Sequence, residues 1–345
     1  MKIGVIGKGI PVYVSKKAPN EHICITGMSG SGKSTRIAEI IESAVQEKKT
    51  VIVLDLAGMD YKGLKNSNYI SAKQDGIGLK LLQMTESMNE DIEYITDIFR
   101  NIFGLRSRQI GALRYAVQYA IENRIQFQTD LEAIDKGLKM QDSGVAEGVR
   151  NHLWGLVNSY CIRPSKKSFA KQEINIVTFA GLNTGTQKIA AEVVLSCLWK
   201  RIQNAEINDL VLVIDEFQNY IRKGSALIEM MREARKYGVS IILSTQTLEG
   251  FSATVMAAIK QSSVQMYFRA NAADIKKLSE MIDATNADCW KMRLRQLKVG
   301  ESVATGMLLV GNREIDDPIV IRSEYKENET SLVPLGETKK GEVML

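Results

Sequence analysis

Histidine and cysteine are scarce in this chain. Two histidines (His22, His152) and four dispersed cysteines (Cys24, Cys161, Cys197, Cys289), with no Cys-x-x-Cys pair, argue against a zinc site. Scattered thiols suit a reducing cytoplasm. No apolar run approaches the ~20 residues that span a bilayer, and Met1-Lys2-Ile3-Gly4 lacks the apolar core of a signal peptide. The expectation is a cytoplasmic protein without direct membrane insertion, meeting any membrane through partners. Five prolines and no Ser/Pro-rich stretch leave no evident linker, and no repeat recurs at the ~20–50-residue periods of solenoids. Charge is nearly balanced: 45 basic against 40 acidic residues give +5, compatible with nucleic acid but no argument for it.

What is present is a chain of 345 residues, 45% hydrophobic and 25% charged, which excludes a disordered or disulfide-stapled protein. Ile23-Cys24-Ile25-Thr26, a glycine-rich turn, a helical pattern from Arg36 to Glu47 and the apolar Val51-Ile52-Val53-Leu54-Asp55 read as a βαβ unit with a buried parallel sheet. From residue 85 to 170 the spacing turns helical, as in Ile92, Ile95, Ile98, Phe99, Ile102 and Leu113, Ala116, Val117, Ala120. Strand patterns return at 174–179, 210–215 and 239–244, with helix-length segments between them. The reading is one α/β core with a largely parallel sheet, carrying a helical insert. Residues 1–84 and 171–322 form the core, 85–170 an inserted all-helical subdomain, and 323–345 a polar tail. Trp154, Trp199 and Trp290 read as core anchors.

Gly27-Met28-Ser29-Gly30-Ser31-Gly32-Lys33-Ser34 fits G-x-x-x-x-G-K-[ST], after a strand and opening a helix. At usual residue frequencies about one or two chains in a hundred of this length match by chance, before that context is counted. The glycines let backbone N–H groups close on phosphates, and the helix dipole assists. Lys33 would reach the β- and γ-phosphates, Ser34 would ligate Mg²⁺ and Thr35 would complete the binding stretch. The apolar strand 210–214 delivers Asp215 to the Mg²⁺ shell and Glu216 to the attacking water. Gln246, leaving the next strand in Ser244-Thr245-Gln246, is the candidate sensor of the γ-phosphate. Arg235, in a helix stopped by Gly238, is the candidate finger toward a neighbouring subunit's nucleotide. ATP and Mg²⁺ are the implied ligands.

These residues resemble the HerA/FtsK superfamily of P-loop motor ATPases, in its HerA-like and conjugative or type IV secretion branches. The resemblance runs through His22, residues 27–34, 51–55 with Gly58 and Tyr61, 210–217, 233–239, 243–246 and 297–301. It implies an α/β P-loop NTPase core of RecA-like, additional-strand type with a largely parallel sheet and an inserted all-helical subdomain, and a hexameric ring that hydrolyses ATP between subunits and moves DNA or protein–DNA substrates through its pore. Lys33 and Ser34 match the P-loop pair, Asp215 and Glu216 the metal-binding and catalytic acids, Gln246 the sensor, and Arg235 the arginine given in trans. Arg269 is a weaker match to a second phosphate contact. One departure stands out: HerA proteins usually carry a β-barrel before the P-loop and secretion ATPases a longer N-terminal region, whereas about 20 residues precede the first expected strand here. Barrel-mediated nuclease docking and direct membrane anchoring are therefore in doubt.

The leading reading is an oligomeric DNA-translocating ATPase. A secretion-type transport ATPase and a nucleotide-gated ring that activates a partner effector stay open. A small-molecule kinase is disfavoured by Asp215-Glu216 and Gln246. Lys291, Arg293, Arg295 and Lys298 read as a solvated helix face rather than a phosphate-binding one.

Overall fold

The computed structural model describes residues 1–324 apart from 57, 59, 60, 62, 83–86, 220, 222 and 223. The tail expected over 323–345 lies outside the described residues from 325 onward.

In chain order the strands are β1 (Lys2–Ile6), β2 (Ile10–Val14), β3 (Ile23–Thr26), β4 (Thr50–Asp55), β5 (Ser67–Ser71), β6 (Ile174–Thr178), β7 (Leu210–Ile214), β8 (Ser240–Thr245), β9 (Val264–Tyr267), β10 (Glu301–Gly306), β11 (Leu308–Val310), β12 (Arg313–Ile315) and β13 (Ile319–Arg322). They form one 13-stranded sheet in the order β12-β11-β2-β1-β13-β10-β9-β3-β8-β7-β4-β6-β5. The seven strands from β9 to β5 are parallel throughout. The remaining six make an antiparallel wing joined through β10 to β9.

Two of these placements matter for function. β8 lies between β3 and β7, the extra strand expected between the two motif strands. The first 20 residues, expected to precede the first strand, contain β1 and β2, which pair as a hairpin and build the wing with segments beyond residue 300. The alternation of Ile3 with Val5 and of Val12 with Val14 marks two strands, but their partners β13 and β11 lie about 300 residues away in sequence, so no local signal places them in the wing.

The parallel strands bury both faces. Val51, Val53, Val211 and Val213 pack on the side of α1 (Lys33–Gln46), where Ile37, Ile40, Ile41 and Ala44 supply the facing stripe. Ile52, Leu54, Leu212 and Ile214 turn to the opposite core, as the two-residue strand period requires. Each fully buried isoleucine of α1 contributes about 1.5–3 kcal/mol. On the opposite face four helices follow one another without a strand: α2 (Met88–Phe103), α3 (Ser107–Asn123), α4 (Asp130–Lys139) and α5 (Gly144–Ser159). Their ends are encoded locally. Ser87 caps α2 and Gly104 ends it in a left-handed conformation, while Thr129 and Glu132 form a capping box on α4. Then come α6 (Thr184–Gln203), α7 (Ala226–Glu233), α8 (Ala253–Ile259), α9 (Ile275–Ile282) and α10 (Ala287–Gln296). Trp199 is buried and meets Tyr237 edge-on, but Trp154 is 62% exposed and anchors nothing, so that expectation is corrected. All four cysteines are free thiols.

Candidate active site at the carboxyl ends of the parallel strands

β3 runs straight into the glycine loop, which is fastened on two sides. On the β8 side, Gly27 N–H donates to the Thr245 carbonyl (3.2 Å); on the β9 side, Met28 N–H donates to the Arg269 carbonyl (2.8 Å). Gly27 is glycine for lack of room: a Cβ there would lie 2.5 Å from Phe268 Cβ. Gly32 combines two demands, a left-handed φ of 97° and a Cβ position 2.6 Å from the Gly300 nitrogen. Ser29, Gly30 and Thr35 are exposed, Ser34 is half-buried and Lys33 is buried.

The amino end of α1 has no side-chain cap and no acidic residue in its first turn. Its orphan N–H groups and dipole thus face the loop uncompensated, which fits a polyanion. Within the loop, the Met28 carbonyl accepts from Ser31 Oγ (2.7 Å) and from the Lys33 ammonium (3.0 Å).

Strand register brings in the acids. β7 lies beside β4, with Leu54 opposite Ile214, and beside β8, with Ile214 opposite Leu243. One residue further along, Asp55, Asp215 and Ser244 stand abreast on the α1 face. Asp215 is buried; its Oδ2 accepts from the Tyr61 hydroxyl (2.7 Å) and its Oδ1 from Glu216 N–H (2.9 Å). Asp55 is likewise buried and caps its own turn through Gly58 N–H (2.7 Å). Glu216, at a left-handed φ of 49°, turns off the strand end. Its carboxylate accepts hydrogen bonds from Gln246 Nε2 and from Asn219 Nδ2 (3.3 Å). The glutamate and the glutamine that sequence reading named separately are thus in contact. Asp215 and Ser34 have the ligand chemistry for Mg²⁺, and Lys33, in the loop itself, has that for phosphate.

Sequence reasoning overlooked three partners. Tyr61 and Asp55 carried resemblance but no role, and Asn219 was signalled only by following a motif strand. Arg269 is tied to the loop by its own carbonyl, with an exposed side chain. His22 is structural at the opposite end of β3. It is buried, its Nδ1 accepts from Ile241 N–H (3.0 Å), and burial pushes its pKa down to about 4. Arg235 is exposed on a 3-10 turn, Ala234–Tyr237, that continues α7 and precedes β8. The six residues of β8 separate it from Gln246 by about 20 Å, so it does not meet the loop of its own chain.

A glycine loop opening a helix, an acid pair at the end of a parallel strand and a glutamine leaving the strand between them define a P-loop ATPase of the additional-strand type. The chain belongs to the family described as Helicase HerA, central domain, which matches residues 1–198. It is 21% identical over 337 residues to the DNA double-strand break repair helicase HerA of Sulfurisphaera tokodaii, covering 90% of this chain and 67% of that one. The Sulfolobus acidocaldarius protein of the same name is 20% identical, with 89% and 66% covered; this chain thus spans about two thirds of the HerA relatives. Among solved structures it resembles VirB4 of Thermoanaerobacter pseudethanolicus (TM-score 0.71, 16% identity, 95% and 96% covered). It also resembles the plasmid coupling protein TrwB in complex with ADP and Mg²⁺ (TM-score 0.67, 12% identity, 94% and 90% covered). These likenesses establish the fold. Among the described residues no helix is long and apolar enough to cross a membrane.

Proposed function

We propose that this chain is the motor core of an ATP-hydrolysing hexameric ring that translocates DNA in the cytoplasm. The observation that carries the hydrolytic part is the pairing of Glu216 with Gln246 beside the Lys33 loop. A carboxylate that orients water, bonded to an amide able to sense the γ-phosphate, is the arrangement in-line hydrolysis needs. In this reading Lys33, Ser34 and the N–H groups of residues 27–35 hold the triphosphate. Ser34 and Asp215 hold Mg²⁺, which neutralises charge on the phosphates. Arg235, remote from its own loop, serves a neighbour's site. Residues 1–84 and 171–322 act as the motor core and 85–170 as a helical insertion. DNA as the polymer is supported by the family resemblance and by the HerA relatives, named as repair helicases. A nuclease, effector or secretion complex would be its working partner.

The test is steady-state ATP hydrolysis with and without double-stranded DNA, at two salt concentrations, beside Glu216→Gln. DNA-stimulated turnover that fades with salt and vanishes in the variant supports the motor. Turnover indifferent to DNA moves the reading to a transport ATPase of the kind suggested by the VirB4-like fold, or to a nucleotide-gated scaffold.

A further inference from the structure

We propose that the turn at residues 298–300 forms the wall of the nucleotide site that receives the nucleoside, with Val299 as the side chain that contacts the base. The proposal rests on the ATPase reading above and gives a role to the 298–300 turn, a stretch that carried resemblance but no function.

Sheet order is the first argument. Across β7-β8-β3-β9-β10, Glu216 follows β7 on one side of the P-loop strand, and residues 298–300 lead into β10 on the other. Attacking and leaving oxygens are roughly in line in phosphoryl transfer. A water oriented by Glu216 therefore places the leaving ADP, and the nucleoside with it, away from β7 and toward the β10 side. The second argument is contact. Gly300 N–H donates to the Ser31 carbonyl (3.0 Å), and the Cβ position of Gly32 lies 2.6 Å from the Gly300 nitrogen and 3.7 Å from the Val299 carbonyl carbon. The turn thus abuts the phosphate loop directly.

The turn is also rigid. The Gly300 carbonyl accepts from Arg36 Nη2 (2.9 Å) and from Ser323 N–H (3.1 Å). Lys298 and Glu301 close on each other, through Glu301 N–H to the Lys298 carbonyl (3.0 Å) and Lys298 N–H to Glu301 Oε2 (3.0 Å). Arg36 is itself fully buried, one turn beyond Lys33. It donates to the Ile3 carbonyl (2.9 Å) and Ser323 Oγ (3.2 Å), pairs with Glu39 (3.2 Å), and lies 5.7 Å from the Phe268 ring centre. On this fixed support Val299 is 68% exposed, an apolar side chain on a pre-formed rim, as ligand sites use for flat rings. Arg36 is then a positioning residue, holding the phosphate loop and the nucleoside wall in one frame.

The experiment is calorimetric titration of the full chain with Mg-ADP and, separately, Mg-pyrophosphate, for wild type, Val299→Ser and Val299→Met. The exposed position makes both variants safe for folding. Val299→Ser is expected to weaken ADP about five-fold and leave pyrophosphate within two-fold, while Val299→Met keeps wild-type affinity for both. Equal losses for the two ligands, or no loss for either, overturn the proposal. A shift in sedimentation with ADP affinity unchanged also overturns it and assigns Val299 to contact between copies. A wild-type chain that binds neither ligand overturns the ATPase reading itself.

Discussion

Replacing His22 with glutamine should remove most of a steep acid sensitivity. Buried His22 stays neutral because its Nδ1 must accept from Ile241 N–H where β3 and β8 begin. Burial lowers its pKa from 6.5 to about 4, with Glu21 pulling weakly the other way. The unfolded chain takes up the proton below pH 6.5 and the folded one only near 4. The stability is therefore fully present above pH 6.5 and lost as pH falls through that window. At ~1.4 kcal/mol per tenfold change in proton affinity, the loss reaches about 3 kcal/mol. Denaturant midpoints of wild type and His22→Gln between pH 7.5 and 4.5 measure it as a stability difference that shrinks with acid. Because His152 is the other histidine in the chain, proton NMR of the two imidazoles assigns His22 by its disappearance in the variant. A His22 resonance titrating near pH 6.5, or a stability difference constant with pH, refutes the reasoning.

Other expectations follow from the site. Gln246→Ala frees the Glu216 carboxylate from its amide and should cut ATP turnover by about ten- to a hundred-fold, with Mg-ADP affinity unchanged by calorimetry. Tyr61→Phe removes the hydroxyl from buried Asp215; it should cost about 1.5–3 kcal/mol in denaturant unfolding and change the Mg²⁺ concentration needed for half-maximal turnover. Gly32→Ala meets both a positive φ and the Gly300 backbone, and should abolish nucleotide binding while far-UV circular dichroism stays unchanged. Arg36→Met strips donors from Ile3, Gly300, Ser302 and Ser323; a loss of more than about 3 kcal/mol is expected in the same unfolding assay.

Much of the site could be read from short stretches. Residues 27–34 carry their own conformational demands, and an apolar run ending in Asp215-Glu216 declares a buried parallel strand with acids at its mouth. The helices between 88 and 159 announced themselves by apolar spacing, since helical order is local. Arg36 was passed over as one more polar residue in a helix pattern, because nothing near it in the chain reveals that it is fully buried.

By itself, then, the sequence determined the glycine loop, the acid pair Asp215-Glu216 at the end of an apolar strand, the polar residues leaving the next strand and the α/β class. Each rests on contiguous residues whose backbone needs and burial pattern are written in a few positions. Tertiary structure alone decided that Gln246 bonds Glu216, and that β1 and β2 join the strands after residue 300 in one wing. It also set Tyr61 on Asp215, 154 positions away, and Arg36 on Gly300, 264 positions away. Such pairings follow from which strands align and which donors are left unpaired once the core closes, and no local pattern records either.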